Sequence, residues 1–277
     1  MIRDFILKTS KGNQIQVTTY LKGVETEKNA IIFVHGFKGF KDWGFVPYLS
    51  EYFSDNGFFV VTFNFSHNGI GSEKTEFTEL EKFAENTISL EVSELNEIID
   101  FLKSDQLGIE FRGKIGLLGH SRGGAVSLLT AGSRNDIDAV ALWASISKFN
   151  RYSERQKELW RKNGYFEVLN TRTNQLMRLN VTFLDDIEKN ASESLNLEKS
   201  VRNLNCPLFI AHGDQDLAVP IVEEEQIYEW SDKEKTEFYK IFGTGHTFDI
   251  VHPFNGTNEK FEKLLRKTIE FFKRNLT

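Results

Sequence analysis

Cysteine is nearly absent from this chain of 277 residues, with Cys206 alone of its kind. An intrachain disulfide framework is thereby excluded, and a reducing compartment fits. Cys206 stands before Pro207 and the apolar run Leu208-Phe209-Ile210, the setting of a buried structural thiol. Positive charge is also short, with 34 Lys and Arg against 40 Asp and Glu and a formal net charge of −6. No basic stripe carries interleaved aromatics, so neither nucleic acid nor an anionic membrane is expected as a partner. No run of about 18 apolar residues occurs. Charges interrupt the opening Met1-Ile2-Arg3-Asp4-Phe5-Ile6-Leu7-Lys8, which does not resemble a signal h-region, and the expected location is cytoplasmic. Metal-ligand spacing is missing: His35 and His67 form no HxH or HxxxH pair, and Glu223-Glu224-Glu225 reads as the solvated first turn of a helix. Neither a metal nor another cofactor is expected. The Gly-rich Asn68-Gly69-Ile70-Gly71-Ser72 lacks the Lys-Ser/Thr ending of a phosphate cradle.

What is present is the composition of an ordinary globular protein, 40% hydrophobic and 27% charged, at a length that suits one large α/β domain. The chain opens on two short strands, about 4–8 and 14–21, joined by the turn signal Lys11-Gly12-Asn13. Unbroken apolar runs then follow at 30–34, 58–63, 115–118, 139–143 and 208–211, as expected of parallel strands covered on both faces. Helical periodicity falls between them, at about 46–55, 87–104 and 125–132, and again at 259–274. The rhythm breaks at 147–204, which is polar and helical without a clear strand. It is read as an inserted helical cap on a core of residues 1–146 and 205–277. The expected fold is thus a mostly parallel, doubly wound α/β sheet.

Gly119-His120-Ser121-Arg122-Gly123 carries the chemistry, because it lies between an apolar strand and an apolar helix. A serine in that strand–turn–helix setting is held in a sharp turn with its hydroxyl exposed, and side chains at the flanking glycines would collide with neighbouring backbone. The hydroxyl needs a base, and the base needs an acid to fix its tautomer. Asp216 and His246 supply both in the order Ser, Asp, His, each on a loop after an apolar strand. Asp214 competes with Asp216 and is assigned a turn-stabilising role instead. The oxyanion donors are read as the backbone N–H groups of Arg122 and of Phe37, in the turn His35-Gly36-Phe37-Lys38-Gly39-Phe40. Phe37, Phe40, Trp43, Trp160, Tyr165 and Phe166 are candidates for an aromatic or apolar acyl pocket, and core packing explains them about as well.

Taken together, the His35-Gly36 turn, the elbow, the segment His212-Gly213-Asp214-Gln215-Asp216-Leu217-Ala218-Val219-Pro220 and His246 resemble the α/β-hydrolase superfamily over almost the whole chain. Within it the chain is most similar to bacterial feruloyl/cinnamoyl esterase-like serine hydrolases. The resemblance implies acyl transfer to Ser121, with His246 as base then acid and Asp216 as orienter. One departure is Arg122, where Gln, Met or Leu often stands. Its guanidinium either attracts an acidic substrate group or pairs with a nearby carboxylate, the second being preferred. The expected function is a serine carboxylic ester hydrolase acting on a small-molecule ester. The rivals are a peptidase or amidase of prolyl-oligopeptidase type and a non-catalytic binding protein of the same fold. Oligomeric state is not read from the sequence, and a homodimer stays open.

Overall fold

The computed structural model describes residues 1–23, 28–171 and 174–276. An N-terminal hairpin of β1 (Ile2–Lys8) and β2 (Gln14–Tyr20) leads into β3 (Ala30–Val34), α1 (Val46–Asp55) and β4 (Phe59–Asn64). After these come α2 (Leu80–Ala84), α3 (Ile88–Lys103), β5 (Ile115–His120), α4 (Arg122–Ala131) and β6 (Ala139–Trp143). The segment that follows holds α5 (Glu154–Asn163), β7 (Tyr165–Asn170), β8 (Gln175–Asn180), α6 (Val181–Lys189) and α7 (Leu197–Arg202). The chain closes with β9 (Leu208–Gly213), α8 (Val222–Trp230), β10 (Thr236–Ile241) and α9 (Glu259–Asn275).

Eight strands form one sheet in the order β1-β2-β4-β3-β5-β6-β9-β10. β2 runs antiparallel to both of its neighbours, and every pair from β4 to β10 is parallel. The central strands are buried along their length except at His120, the last residue of β5, which is why their sequences run apolar without alternation. One face packs Ile31, Phe33, Val60 and Trp143 against α1 and α9; the other packs Ile32, Val34, Leu117 and Leu142 against α3 and α4. Parallel pairing brings the carboxyl ends of β3, β5, β9 and β10 to one edge, where ligands gather in open α/β sheets. Among the described residues no helix is long and apolar enough to cross a membrane.

The segment 147–204 differs from its helical reading, because β7 and β8 form a two-stranded antiparallel hairpin with Phe166 opposite Leu179 and Val168 opposite Met177. Only one face of that hairpin is covered, so charged residues alternate with apolar ones and dilute the strand signal. Beneath it Trp160 is fully buried, stacked on Phe166 at 5.1 Å and on Phe183 at 6.0 Å. α7 lies in the helical layer of the core, against α4, where a Cβ on Gly132 would stand 2.6 Å from the Ser200 carbonyl oxygen. Trp160, Met177, Leu179 and Phe183 belong to the same buried cluster as Leu117 and Val126, so the segment packs continuously onto the core of the sheet. Trp160→Ala is expected to cost about 3–5 kcal/mol of stability, read as a lower midpoint in urea unfolding followed by circular dichroism.

Candidate active site

At the end of β5 the backbone of Ser121 turns through φ 57° and ψ −125°, a left-handed conformation that costs a non-glycine residue on the order of 1–3 kcal/mol. The turn closes only because its neighbours lack side chains. A Cβ on Gly119 would lie 2.5 Å from the Gly123 carbonyl oxygen, and one on Gly123 would lie 2.1 Å from that of Val34. Ser121 N–H donates to the Trp143 carbonyl at 2.8 Å, tying the elbow to β6. The hydroxyl stands at the start of α4, at the positive end of its dipole.

His246 Nε2 lies 3.0 Å from Ser121 Oγ, and His246 Nδ1 lies 2.7 Å from Asp216 Oδ2. With Nδ1–H donating to the carboxylate, Nε2 is left as the acceptor for the serine proton. Asp216 Oδ1 accepts from the N–H groups of Ala218 and Val219, both at 2.8 Å, so the carboxylate is fixed from two sides. Burial would push this carboxyl up, yet hydrogen bonds from His212 and His246 hold it well below the usual carboxylate range. Asp214 has a different task, accepting from Gly243 N–H at 2.6 Å and so joining the loops that carry Asp216 and His246. His120 donates through Nε2 to the backbone carbonyl of His246 at 2.9 Å. Burial pushes His120 down to about 3, so it stays neutral while it holds the His246 backbone.

Behind Asp216 lies a second layer that sequence reasoning missed. His212 is fully buried, with Nε2 2.8 Å from the Val219 carbonyl and 3.3 Å from Asp216 Oδ2, and Nδ1 3.5 Å from Glu224 Oε1. Burial disfavours its charge, but the Asp216 and Glu224 carboxylates outweigh that and raise it to about 10. Glu224 accepts from Ser145 N–H, and Glu223 accepts from Ser147 N–H at 2.9 Å. The acidic run is therefore not a solvated first turn. Glu223 and Glu224 are buried because they satisfy the free N–H groups where the chain leaves β6, and Glu225 alone is exposed.

The turn after β3 brings Phe37 to the elbow. A Cβ on Gly36 would stand 2.8 Å from that of Ser121, so the two backbones touch. His35 is buried beneath, donating through Nδ1 to the Gly36 carbonyl at 2.9 Å and accepting at Nε2 from Phe65 N–H at 3.3 Å. The Arg122 side chain pairs with Glu91 of α3 at 2.5 Å, which places the guanidinium with a carboxylate. Phe37, Phe40 and Trp43 line a cavity of about 270 Å³ together with Ser121 and His246. Phe33, Phe45 and Val46 complete its wall, and the hairpin tip contributes Asn170 and Thr171. Trp160, Tyr165 and Phe166 do not line it. Trp160 and Phe166 pack on each other, and Tyr165 lies under the Arg178 guanidinium at 4.3 Å. Among the described residues no group of three or more His, Cys, Asp or Glu side chains is arranged to hold a metal ion.

Burial lowers His35 to about 4, against an ordinary 6.5. Between those values the unfolded chain binds a proton that the folded protein excludes, so the histidine costs stability as pH falls. Compared with His35→Gln, the wild type is expected to lose about 1.4 kcal/mol per pH unit from 6.5 down to 4, with no change in the difference above 6.5. Urea unfolding at a series of pH values measures it.

No curated protein sequence matches the chain. Solved structures do, over nearly its whole length. Est1E from Butyrivibrio proteoclasticus with ferulic acid bound is 17% identical, with a TM-score of 0.74 and 98% of each chain covered. The esterase domain of a Rhodothermus marinus protein is 20% identical at a TM-score of 0.66, with 100% of each chain covered. A monoacylglycerol lipase from Paleococcus ferrophilus is 16% identical at 0.69, covering 94% of this chain and 99% of its own. A family model described as the alpha/beta hydrolase fold matches residues 29–186, more than half of the sequence. With the parallel sheet and the strand–turn–helix elbow in place, the chain belongs to the alpha/beta hydrolase fold family.

Proposed function

We propose that the protein is a serine hydrolase that cleaves small or medium carboxylic esters through an acyl-enzyme. The observation that carries this reading is the hydrogen-bonded chain from Ser121 Oγ to His246 Nε2 at 3.0 Å and from His246 Nδ1 to Asp216 Oδ2 at 2.7 Å. In the proposed reaction Ser121 Oγ attacks the ester carbonyl while Nε2 takes its proton. The tetrahedral oxyanion is bound by the backbone N–H groups of Phe37 and Arg122. Collapse breaks the bond to the alcohol oxygen, which leaves with the proton from His246. Water, deprotonated by the same nitrogen, then attacks the acyl carbon, and collapse breaks the bond to Ser121 Oγ, which takes the proton back from Nε2 as the acid leaves. Asp216 keeps Nδ1 protonated throughout and stabilises the imidazolium.

Of segment 147–204, the part from α5 to α6 is proposed as the cap, with its hairpin tip at the cavity, and α7 as part of the core layer. Esters with an aromatic acyl group are the preferred substrates in this reading. Phe37, Phe40 and Trp43 line the cavity beside Ser121, and the ferulic acid bound to Est1E supports the same choice.

Ser121→Ala is expected to abolish both fluorophosphonate labelling and turnover of p-nitrophenyl esters, and a variant that keeps either would overturn the assignment. Asp216→Asn should label slowly and lose on the order of 10⁴-fold in turnover, as loss of the orienting carboxylate does elsewhere. Methyl ferulate should be cleaved with a higher kcat/KM than an aliphatic methyl ester of similar size. Equal rates would remove the aromatic preference, and faster cleavage of an aminoacyl amide would move the protein to the peptidases.

A further inference from the structure

The amide donors assigned to the oxyanion come from distant parts of the chain, residue 37 after β3 and residue 122 at the start of α4. Such donors work only when their spacing is held to about half an ångström. Contact between Gly36 and Ser121 fixes the backbone on one side. On the other side the two residues meet through their own side chains. The guanidinium carbon of Arg122 lies 4.6 Å from the centroid of the Phe37 ring, within the range where a cation is attracted to a ring face.

Both members of this stack are held from outside. Glu91 grips the guanidinium at 2.5 Å, and Asn86 Nδ2 donates to the same carboxylate oxygen at 2.7 Å. Phe83 backs the Phe37 ring at 5.6 Å, and Phe183 of α6 lies 5.8 Å from the guanidinium. Arg122 is 8% exposed and Glu91 2%, so the cation is withdrawn from solvent and engaged by a carboxylate rather than offered to a substrate anion. A buried ion pair is seldom more stabilising than apolar side chains of the same volume. What it adds is direction: the Nη2–Oε1 contact holds one end of the guanidinium, and the Phe37 and Phe183 rings on either side narrow the orientations of its plane.

We propose that Arg122 and Glu91 are positioning residues: the guanidinium, fixed by Glu91 and stacked on Phe37, locks the two amides of the oxyanion hole at the spacing that the tetrahedral intermediate requires. The proposal rests on the ester-hydrolase reading given above. Glu91 balances the guanidinium charge, so the stack sets distance and adds little net charge at the hole. α6 reaches the same stack through Phe183, which places one contact of the cap segment on the hole.

The test is steady-state kinetics on p-nitrophenyl esters, run beside the affinity for an aryl trifluoromethyl ketone, which forms a tetrahedral adduct with the serine. Arg122→Met keeps an unbranched apolar stem but removes the plane and the charge. It is expected to lower kcat by about 10- to 100-fold, less than loss of a donor outright, with KM changed by less than about threefold. Ketone affinity should fall by the same factor as kcat. Phe37→Leu, which leaves the amide in place but also changes the cavity wall, should lower kcat and ketone affinity together whatever its KM, and the double variant should have a kcat no worse than the poorer single one. Arg122→Lys should not restore kcat, since it returns the charge without the plane. Glu91→Gln should fall between wild type and Arg122→Met. Unfolding midpoints are recorded for each variant, and if Arg122→Met does not fold, Glu91→Gln and Phe37→Leu carry the same comparison. Losses confined to KM, unchanged ketone affinity, or additive losses in the double variant would overturn the positioning role while leaving the hydrolase intact. A wild-type protein that neither labels with fluorophosphonate nor cleaves any ester would overturn both.

Discussion

The first turn of α4 comes so close to the end of β3 that the Val34 carbonyl occupies the place where a side chain of residue 123 would begin. Both the strained conformation of Ser121 and the meeting of residues 36 and 121 depend on that approach. It is an expensive arrangement, combining a left-handed serine with a glycine pair at a helix start, where glycine favours the unfolded chain. The sheet carries the cost. β5 is fully paired between β3 and β6, and its buried length anchors the turn on the strand side.

From this elbow the polar groups spread outward in layers. Ser121 meets His246, His246 meets Asp216, and Asp216 meets a buried His212 whose other nitrogen faces Glu224. Ser121 and His246 come from separate turns at the carboxyl edge of the sheet, His212 from β9 itself, Asp216 from the turn after it and Glu224 from α8. Every carboxylate in the series also accepts backbone N–H groups: Asp216 from residues 218 and 219, and Glu224 from residue 145. The side chains thus hold the loops in place and are themselves held by the loops' amides. Low local dielectric strengthens such a network when it is satisfied and makes a missing partner costly.

How much of this could be read from the sequence depended on the range of the interaction. Ser121, Asp216 and His246 each follow an apolar strand and stand beside glycines, and those local signals place them at the edge where the structure brings them together. The β7–β8 hairpin was illegible because half of its residues face solvent, so its alternation is short and mixed with charge. The acyl-pocket reading of Trp160, Tyr165 and Phe166 rested on residue type alone, and type does not separate a ring in a core from one at a cavity. Glu223 and Glu224 gave no local signal, since their burial comes from docking against the end of β6. Glu91 did carry one: it falls at helical spacing among Ile88, Leu95 and Ile98 on the buried face of α3, where a carboxylate needs a partner.

The rings under the hairpin are continuous with the main core, and the hairpin end is not. Trp160, Phe166 and Phe183 seat the inserted segment on the α3 and α4 side of the sheet, while Asn170 and Thr171 at the hairpin end line the cavity. The tip can therefore be rewritten in length or polarity without disturbing the strand pairing that sets the angle of Ser121. For an engineer this makes the hairpin end the natural place to change what enters the cavity, with the reacting groups left on their original scaffold.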